Sequence, residues 1–264
     1  MNSVAVIVLV VFALSVIMIM SGRGGGNFYV LALVFAGIPM HTASTTSQFI
    51  LLASALAGAL IFGKAKTMSW RLALFFGGVN ASMAFVGGFE AHLFSGIALK
   101  VILAVLLFIA GAAMLYPENE TRKAAEAQPG YWNLVEGENT YVINLWLAIP
   151  LTIATGFLSG MVGISGGSFL VPLMVVGCGV PMRVAVGTAT VMLAATAFAG
   201  FSGNALHGGF DPVLAIPSAA AAVVGGIIGG KAALKTKPKK LKTISGIITM
   251  VAAILMLANA LAGK

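Results

Sequence analysis

"GMVGISGGSFLVPL", Gly160 to Leu173, places four glycines and two serines inside an otherwise apolar stretch. A related run, "GRGGGNFYVLAL" (Gly22 to Leu33), lies half a chain earlier. Glycine forfeits side-chain packing area. Its presence in such a setting has two explanations: close approach of neighbouring helices, or bare backbone offered to a ligand.

The surroundings decide the class of protein first. Hydrophobic residues make up 59% of the chain and charged residues 8%, against a charged share of about 25% in a soluble domain. Apolar stretches approach the ~20 residues that cross a bilayer as helix. They run from Val4 to Met20, Thr46 to Phe62, Leu72 to Val86, Gly96 to Tyr116, Val142 to Leu158, Val184 to Phe201, Val213 to Gly230 and Ile244 to Leu261. None alternates polar and apolar residues as a barrel strand does. The expected fold class is all-α and polytopic, because a helix satisfies its own backbone in hydrocarbon. The first stretch lacks the positive start of a cleavable signal. Cys178 is the single cysteine, which rules out an intrachain disulfide or a Cys-based metal cluster. The net charge of +8 would suggest nucleic acid in a soluble protein; here it reads as Lys and Arg sorted to one membrane face, with no nucleic-acid partner.

The two Gly-rich runs belong to an internal duplication. Gly26 aligns with Gly167, and after a one-residue insertion near Cys178 Pro39 meets Pro181. That register persists: Thr46 meets Thr188, Gly58 meets Gly200, Gly87-Gly88 meets Gly229-Gly230, and Lys100 meets Lys242. The expected organisation is a first transmembrane repeat over 1–117, a polar, acidic cytoplasmic connector over 118–140, and a second repeat over 141–264. Each copy carries four long segments and a short one, Phe28 to Ala36 and Phe169 to Val176.

Basic residues prefer the cytoplasmic side and so discriminate four crossings per copy from five. With Lys64, Lys66 and Arg71 inside, five crossings put Arg23, Arg122, Lys123, Arg183 and the cluster Lys231, Lys235, Lys237, Lys239, Lys240 and Lys242 on that side as well. Only Lys100 and Lys264 fall outside. Four crossings would export the cluster. The reading is ten segments in two inverted repeats, both termini outside, in the cytoplasmic membrane. Inverted repeats are a transporter signature.

In that arrangement each Gly-rich turn folds toward the midplane and starts a half-length helix. Helix N-termini present free N–H groups and partial positive charge, which suits an anion without a buried Lys or Arg. Candidate substrate-binding residues are Gly25, Gly26 and Asn27 in the first copy, and Ser165, Gly166, Gly167 and Ser168 in the second. Hydroxyls that donate to an anion add Thr45, Thr46 and Ser47, with Thr188 and Thr190 in the repeat. The competing explanation for these hydroxyls is bonding back to their own helix. Gly58, Gly77-Gly78, Gly87-Gly88, Gly225-Gly226 and Gly229-Gly230 read as packing glycines. Arg23 and Arg183 read as cytoplasmic anchors that can also capture an anion at the inner mouth.

"GISGGSFLVPLMVVGCGVPMRVAVGTATV" followed by "NALHGGFDP" resembles the TauE/SafE sulfite exporter family. The second copy carries the resemblance well and the first more loosely, with Arg23, with Leu31 where Pro172 stands, and with Ser44 and Thr45 in place of Val186 and Gly187. The resemblance implies transport of sulfite, organosulfonates or related sulfur-containing anions and carboxylates across the cytoplasmic membrane. No Asp or Glu sits mid-span, which argues against a carboxylate proton relay. His41, His92 and His207 fall in loops on the outer side and read chiefly as solvated, with His41 and His207 as candidates for proton coupling. Outward movement of an anion gains about 2.3 kcal/mol per charge per 100 mV, so export needs no coupling. No nucleotide, metal or cofactor motif is recognised and no enzymatic activity is expected. The alternative is an intramembrane serine protease using Ser165 of "GISG" and His207 of "ALHGG". The duplicated register opposes it, since Gly24 and Ala65 occupy the equivalent places.

Overall fold

The computed structural model describes residues 2–20, 24–115, 129–136, 139–164, 166–236, 250–251 and 253–261. Helix starts follow local chemistry. α3 (Met40–Lys64) and α8 (Met182–Ala205) each begin after a proline, Pro39 and Pro181, with φ near −55° in both. α4 (Trp70–Glu90) is capped by Ser69, whose Oγ accepts from the Leu72 N–H at 3.4 Å. α9 (Pro212–Lys235) is capped by Asp211, which accepts from the Val213 and Leu214 N–H groups at 3.1 and 3.2 Å. Side-chain oxygens at these positions satisfy helix donors that have no partner of their own. Pro39 with Pro181 and Ser69 with Asp211 hold the register found in the sequence. The remaining helices are α1 (Asn2–Met20), α2 (Gly26–Phe35), α5 (Gly96–Leu115), α6 (Leu145–Val162), the short α7 (Gly167–Pro172) continued by a π-helical turn (Leu173–Gly177), and a last helical segment, α10, over 253–261.

Among the described residues, α3, α4, α6, α8 and α9 are long and apolar enough to cross a membrane. The distribution of polarity is inside-out. Leu74, Phe198 and Ile216 are more than half exposed, whereas Thr46, Ser47, Gln48, Asn80 and Thr188 are buried. In water that arrangement is untenable; in lipid it is the expected one. This is an all-α polytopic membrane protein.

Packing repeats with the sequence. α4 packs on α6 and α8, α9 packs on α1 and α3, and α3 and α8 pack on each other. Each repeat's fourth helix thus lies against the other repeat. At one end of the bundle, His41 at the start of α3 shares a cleft with Asn204 and His207 at the end of α8. At the other end, Phe62 clusters with Val186, and Thr188 Oγ1 accepts from the Ser69 N–H at 2.9 Å. The equivalent helices α3 and α8 therefore run in opposite directions.

Glycine sets how closely the helices cross. A Cβ on Gly87 would fall on the Phe157 carbonyl oxygen of α6, and one on Gly229 would fall on that of Val16 on α1. The two crossings are register-equivalent. Gly88, Gly225 and Gly226 meet opposing backbone in the same manner, and Gly58, Gly77 and Gly230 meet side chains. Gly78 has open space around it.

One feature departs from expectation. A β-hairpin, β1 (Tyr131–Glu136) and β2 (Asn139–Asn144), runs from the expected connector into the start of the helical span expected from Val142, in antiparallel register from Tyr131 against Asn144 to Glu136 against Asn139, so that α6 begins only at Leu145. Its alternation carries it: Leu134, Tyr141 and Ile143 are buried among Leu72, Phe76, Met174, Val180 and Cys178. Trp132 meets the Phe75 ring at 5.3 Å, and Arg71 donates to the Val135 carbonyl at 3.3 Å. Lys100, which the charge count leaves outside, is buried near the start of α5.

Candidate functional site

α6 ends inside the protein. Its C-cap, Gly163, adopts φ 79°, a left-handed conformation that costs glycine little. The Gly163 and Ile164 N–H groups both return to the Ser159 carbonyl, at 3.0 and 3.1 Å. The other carbonyls of this last turn receive side chains from α3 and α8. Gln48 Nε2 donates to Gly160 O at 2.9 Å, and Asn204 Nδ2 donates to Gly160 O at 2.8 Å and to Gly200 O at 3.0 Å. Ser47 Oγ lies 2.7 Å from Gly163 O and 2.8 Å from Ser44 O. A broken helix at membrane depth is tolerable only with such partners. Ser47 and Gln48 therefore have a supporting role in the turn that spacing could not reveal.

Beside these satisfied groups sit hydroxyls that have no partner among the described residues. Ser44 Oγ, Thr46 Oγ1 and Ser159 Oγ are buried and unpartnered. Gly163 packs directly on Ser44, and a Cβ at Gly166 would lie 3.2 Å from Asn80 Oδ1 and 3.3 Å from Ser159 Oγ. Asn80 joins the belt through Thr196 Oγ1, which donates to its Oδ1 at 2.7 Å, and through its own donation to Thr152 O at 3.0 Å. Gly166 is the N-cap of α7, with no side-chain cap, and Gly167 and Ser168 form the first turn. Ser44, Ser159, Asn80 and Asn204 were not among the expected site residues. Their signal was present: lone amides and hydroxyls in apolar spans.

The first Gly-rich turn shares the backbone of the second, where the Phe169 and Leu170 N–H groups close on Gly166 O at 3.0 Å, but not its side-chain surroundings. Gly25 caps α2, Gly26 and Asn27 are buried in its first turn, and the Phe28 and Tyr29 N–H groups close on Gly25 O at 2.9 and 2.8 Å. The Tyr29 ring folds back over Gly25, and its hydroxyl reaches Ser54 Oγ at 3.5 Å. The aromatic ring thus covers this helix start. Its register counterpart, Leu170, leaves the second turn bordered by hydroxyls. Two matched cradles were expected; the turns have distinct surroundings.

Other expected residues have defined contacts. Thr45 donates to His41 O at 3.1 Å and Thr190 to Val186 O at 2.8 Å, the backbone-directed bonds common for hydroxyls in membrane helices. Thr188 is engaged by Ser69, so it differs from Thr46 despite the shared register. Arg183 donates to Leu234 O at 3.0 Å and ties α8 to α9. Arg23 and Ser165 lie outside the described residues, so the protease dyad has one member there; His207 stacks on His92 at 3.9 Å. The histidines expected as solvated residues, of which His92 and His207 are exposed, share one open cleft of about 240 Å³, lined by His41, Thr45, Gly88, His92, Asn204, His207, Gly208 and Gly209. The chain's return through 91–95 and 206–211 brings them together. Asn204 belongs both to this cleft and to the belt beneath it.

The all-α membrane bundle with its broken helices is, by its likeness to known proteins, of the membrane-transporter class. The chain belongs to the sulfite exporter TauE/SafE family, whose profile it matches over residues 7–256. It is similar to the probable membrane transporter protein YunE of Bacillus subtilis strain 168, 23% identical over 239 residues, 86% of this chain and 87% of that protein. It is also similar to the probable membrane transporter protein YdhB of the same organism, 27% identical over 227 residues, 85% of this chain and 88% of that protein.

Proposed function

We propose that this chain is a secondary transporter that exports small anions (sulfite, organosulfonates or related sulfur-containing or carboxylate anions) across the cytoplasmic membrane. The anion is held in the polar belt at the second Gly-rich turn, between Ser44 and Ser159 and against the start of α7 at Gly166. One observation carries this reading: the two hydroxyls are buried without a hydrogen-bond partner beside a helix start that has no side-chain cap. An unpaired buried hydroxyl costs about 1–3 kcal/mol, a cost that a hydrogen-bonding ligand removes. The opposed directions of α3 and α8 support two inverted repeats, 1–117 and 141–264, joined through 118–140, with both termini outside. The cleft at Asn204 supplies the outer route. The negative interior drives the anion outward, and the protein's task is to lower the barrier.

The experiment is thiosulfate or sulfite efflux from proteoliposomes under a clamped potential. Efflux should rise with inside-negative voltage and fall in Ser44→Ala and Ser159→Ala. Voltage-independent efflux, or full activity in both variants, would refute the reading.

A further inference from the structure

The chain contains three histidines, and all three line the outer cleft. His41 comes from the first turn of α3, His92 from the 3₁₀ turn after α4 (Ala91–Leu93), and His207 from the end of α8. His92 and His207 stack with ring centroids 3.9 Å apart and planes 18° from parallel. The Phe89 ring packs on His207 at 4.8 Å. His92 Nδ1 lies 2.7 Å from the Phe89 carbonyl oxygen. A carbonyl only accepts, so Nδ1 carries the hydrogen and Nε2 takes up the next proton.

The other polar side chains of the cleft have no hydrogen to spare. The Thr45 hydroxyl donates to His41 O, and the Asn204 amide donates to Gly160 O and Gly200 O. Side-chain attraction for an anion here depends on the imidazoles. Among the described residues no carboxylate lines the cleft. Among the described residues of the surrounding elements, the titratable groups are few. Glu90 ends α4, Asp211 is committed to the α9 start, Lys100 is buried in α5, and Tyr29 lies beneath, at Ser54. Lys64 and Arg183 belong to the opposite ends of α3 and α8. Two imidazolium rings stacked this closely repel one another. An oxyanion beside them offsets that repulsion, because an opposite charge attracts both rings.

We propose that the three-histidine cleft is a second, outer oxyanion site whose occupancy takes up a proton. The anion binds the imidazolium N–H groups and leaves when they deprotonate. The inference rests on reading the chain as an anion carrier, but its test is separable.

Label the histidines of the full chain with ¹³C and ¹⁵N, place the protein in lipid nanodiscs, and titrate by NMR. Compare thiosulfate with chloride, which is not an oxyanion, at matched ionic strength; the thiosulfate charge is constant between pH 5 and 8. Thiosulfate should raise at least two histidine midpoints by about one pH unit, a tenfold gain in proton affinity. His92→Gln should leave His207 insensitive to the choice of anion. Identical midpoints in the two anions overturn the proposal. Thiosulfate flux retained with unshifted midpoints discards this site alone. Shifted midpoints without flux keep the site and discard the transport reading.

Discussion

Replacing Ser159 by alanine separates a ligand site from a structural one by the sign of two effects. The Ser159 hydroxyl is buried and has no partner, while its backbone carbonyl keeps the Gly163, Ile164 and Gln48 donors in the variant. Removing an unpaired buried hydroxyl relieves roughly 1–3 kcal/mol in the ligand-free protein. At about 2–4 °C per kcal/mol for a chain of this size, the melting temperature should rise by several degrees. Binding should move the other way. A hydrogen bond to a charged group contributes about 1.5–3 kcal/mol, so thiosulfate affinity should fall roughly 10- to 150-fold. Thermal unfolding of purified protein with graded thiosulfate reads both quantities. Thr46→Val, whose hydroxyl is likewise unpartnered, should share the gain in ligand-free stability. Thr188→Val should behave oppositely, because the Ser69 N–H loses its acceptor; stability falls by about 1–3 kcal/mol and affinity is unchanged. A Ser159→Ala protein that melts lower and binds thiosulfate as tightly as the parent would refute the reasoning.

The helix crossings provide a second test. Gly87→Ala and Gly229→Ala press a Cβ on opposing backbone and should each destabilise by about 1–3 kcal/mol or more, whereas Gly78→Ala, in open space, should stabilise by up to about 1 kcal/mol through helix propensity; equal melting temperatures would contradict this. Asn204→Leu removes donors to Gly160 O and Gly200 O and should lower both stability and flux, with a cost of about 1–3 kcal/mol in thermal unfolding. Leu134→Ala empties a buried hairpin position and should cost about 2–5 kcal/mol, while thiosulfate affinity measured on the folded protein stays at the parent value.

Membrane class, helix content and the short helices after Gly-rich turns were legible in the chain because each depends on local composition. Pro39 with Pro181 and Ser69 with Asp211 begin the expected helices in both halves for the same local reasons. The hairpin at Tyr131–Asn144 was not legible, since an acidic flank obscured a short alternation whose buried face is supplied by α4, α7 and α8. Site residues divided similarly. Thr46 and Thr188 share a register, yet one is unpartnered and the other holds Ser69; a neighbour distant in sequence made the difference. Tyr29 in place of Leu170 shows how one side chain can make duplicated turns unequal. The three histidines lie far apart along the chain and meet only because α3 and α8 run in opposite directions. Hydropathy and register act along the chain and can be read there, whereas the pairing of a buried hydroxyl or the stacking of two imidazoles depends on which remote elements the packed bundle brings within a few ångströms.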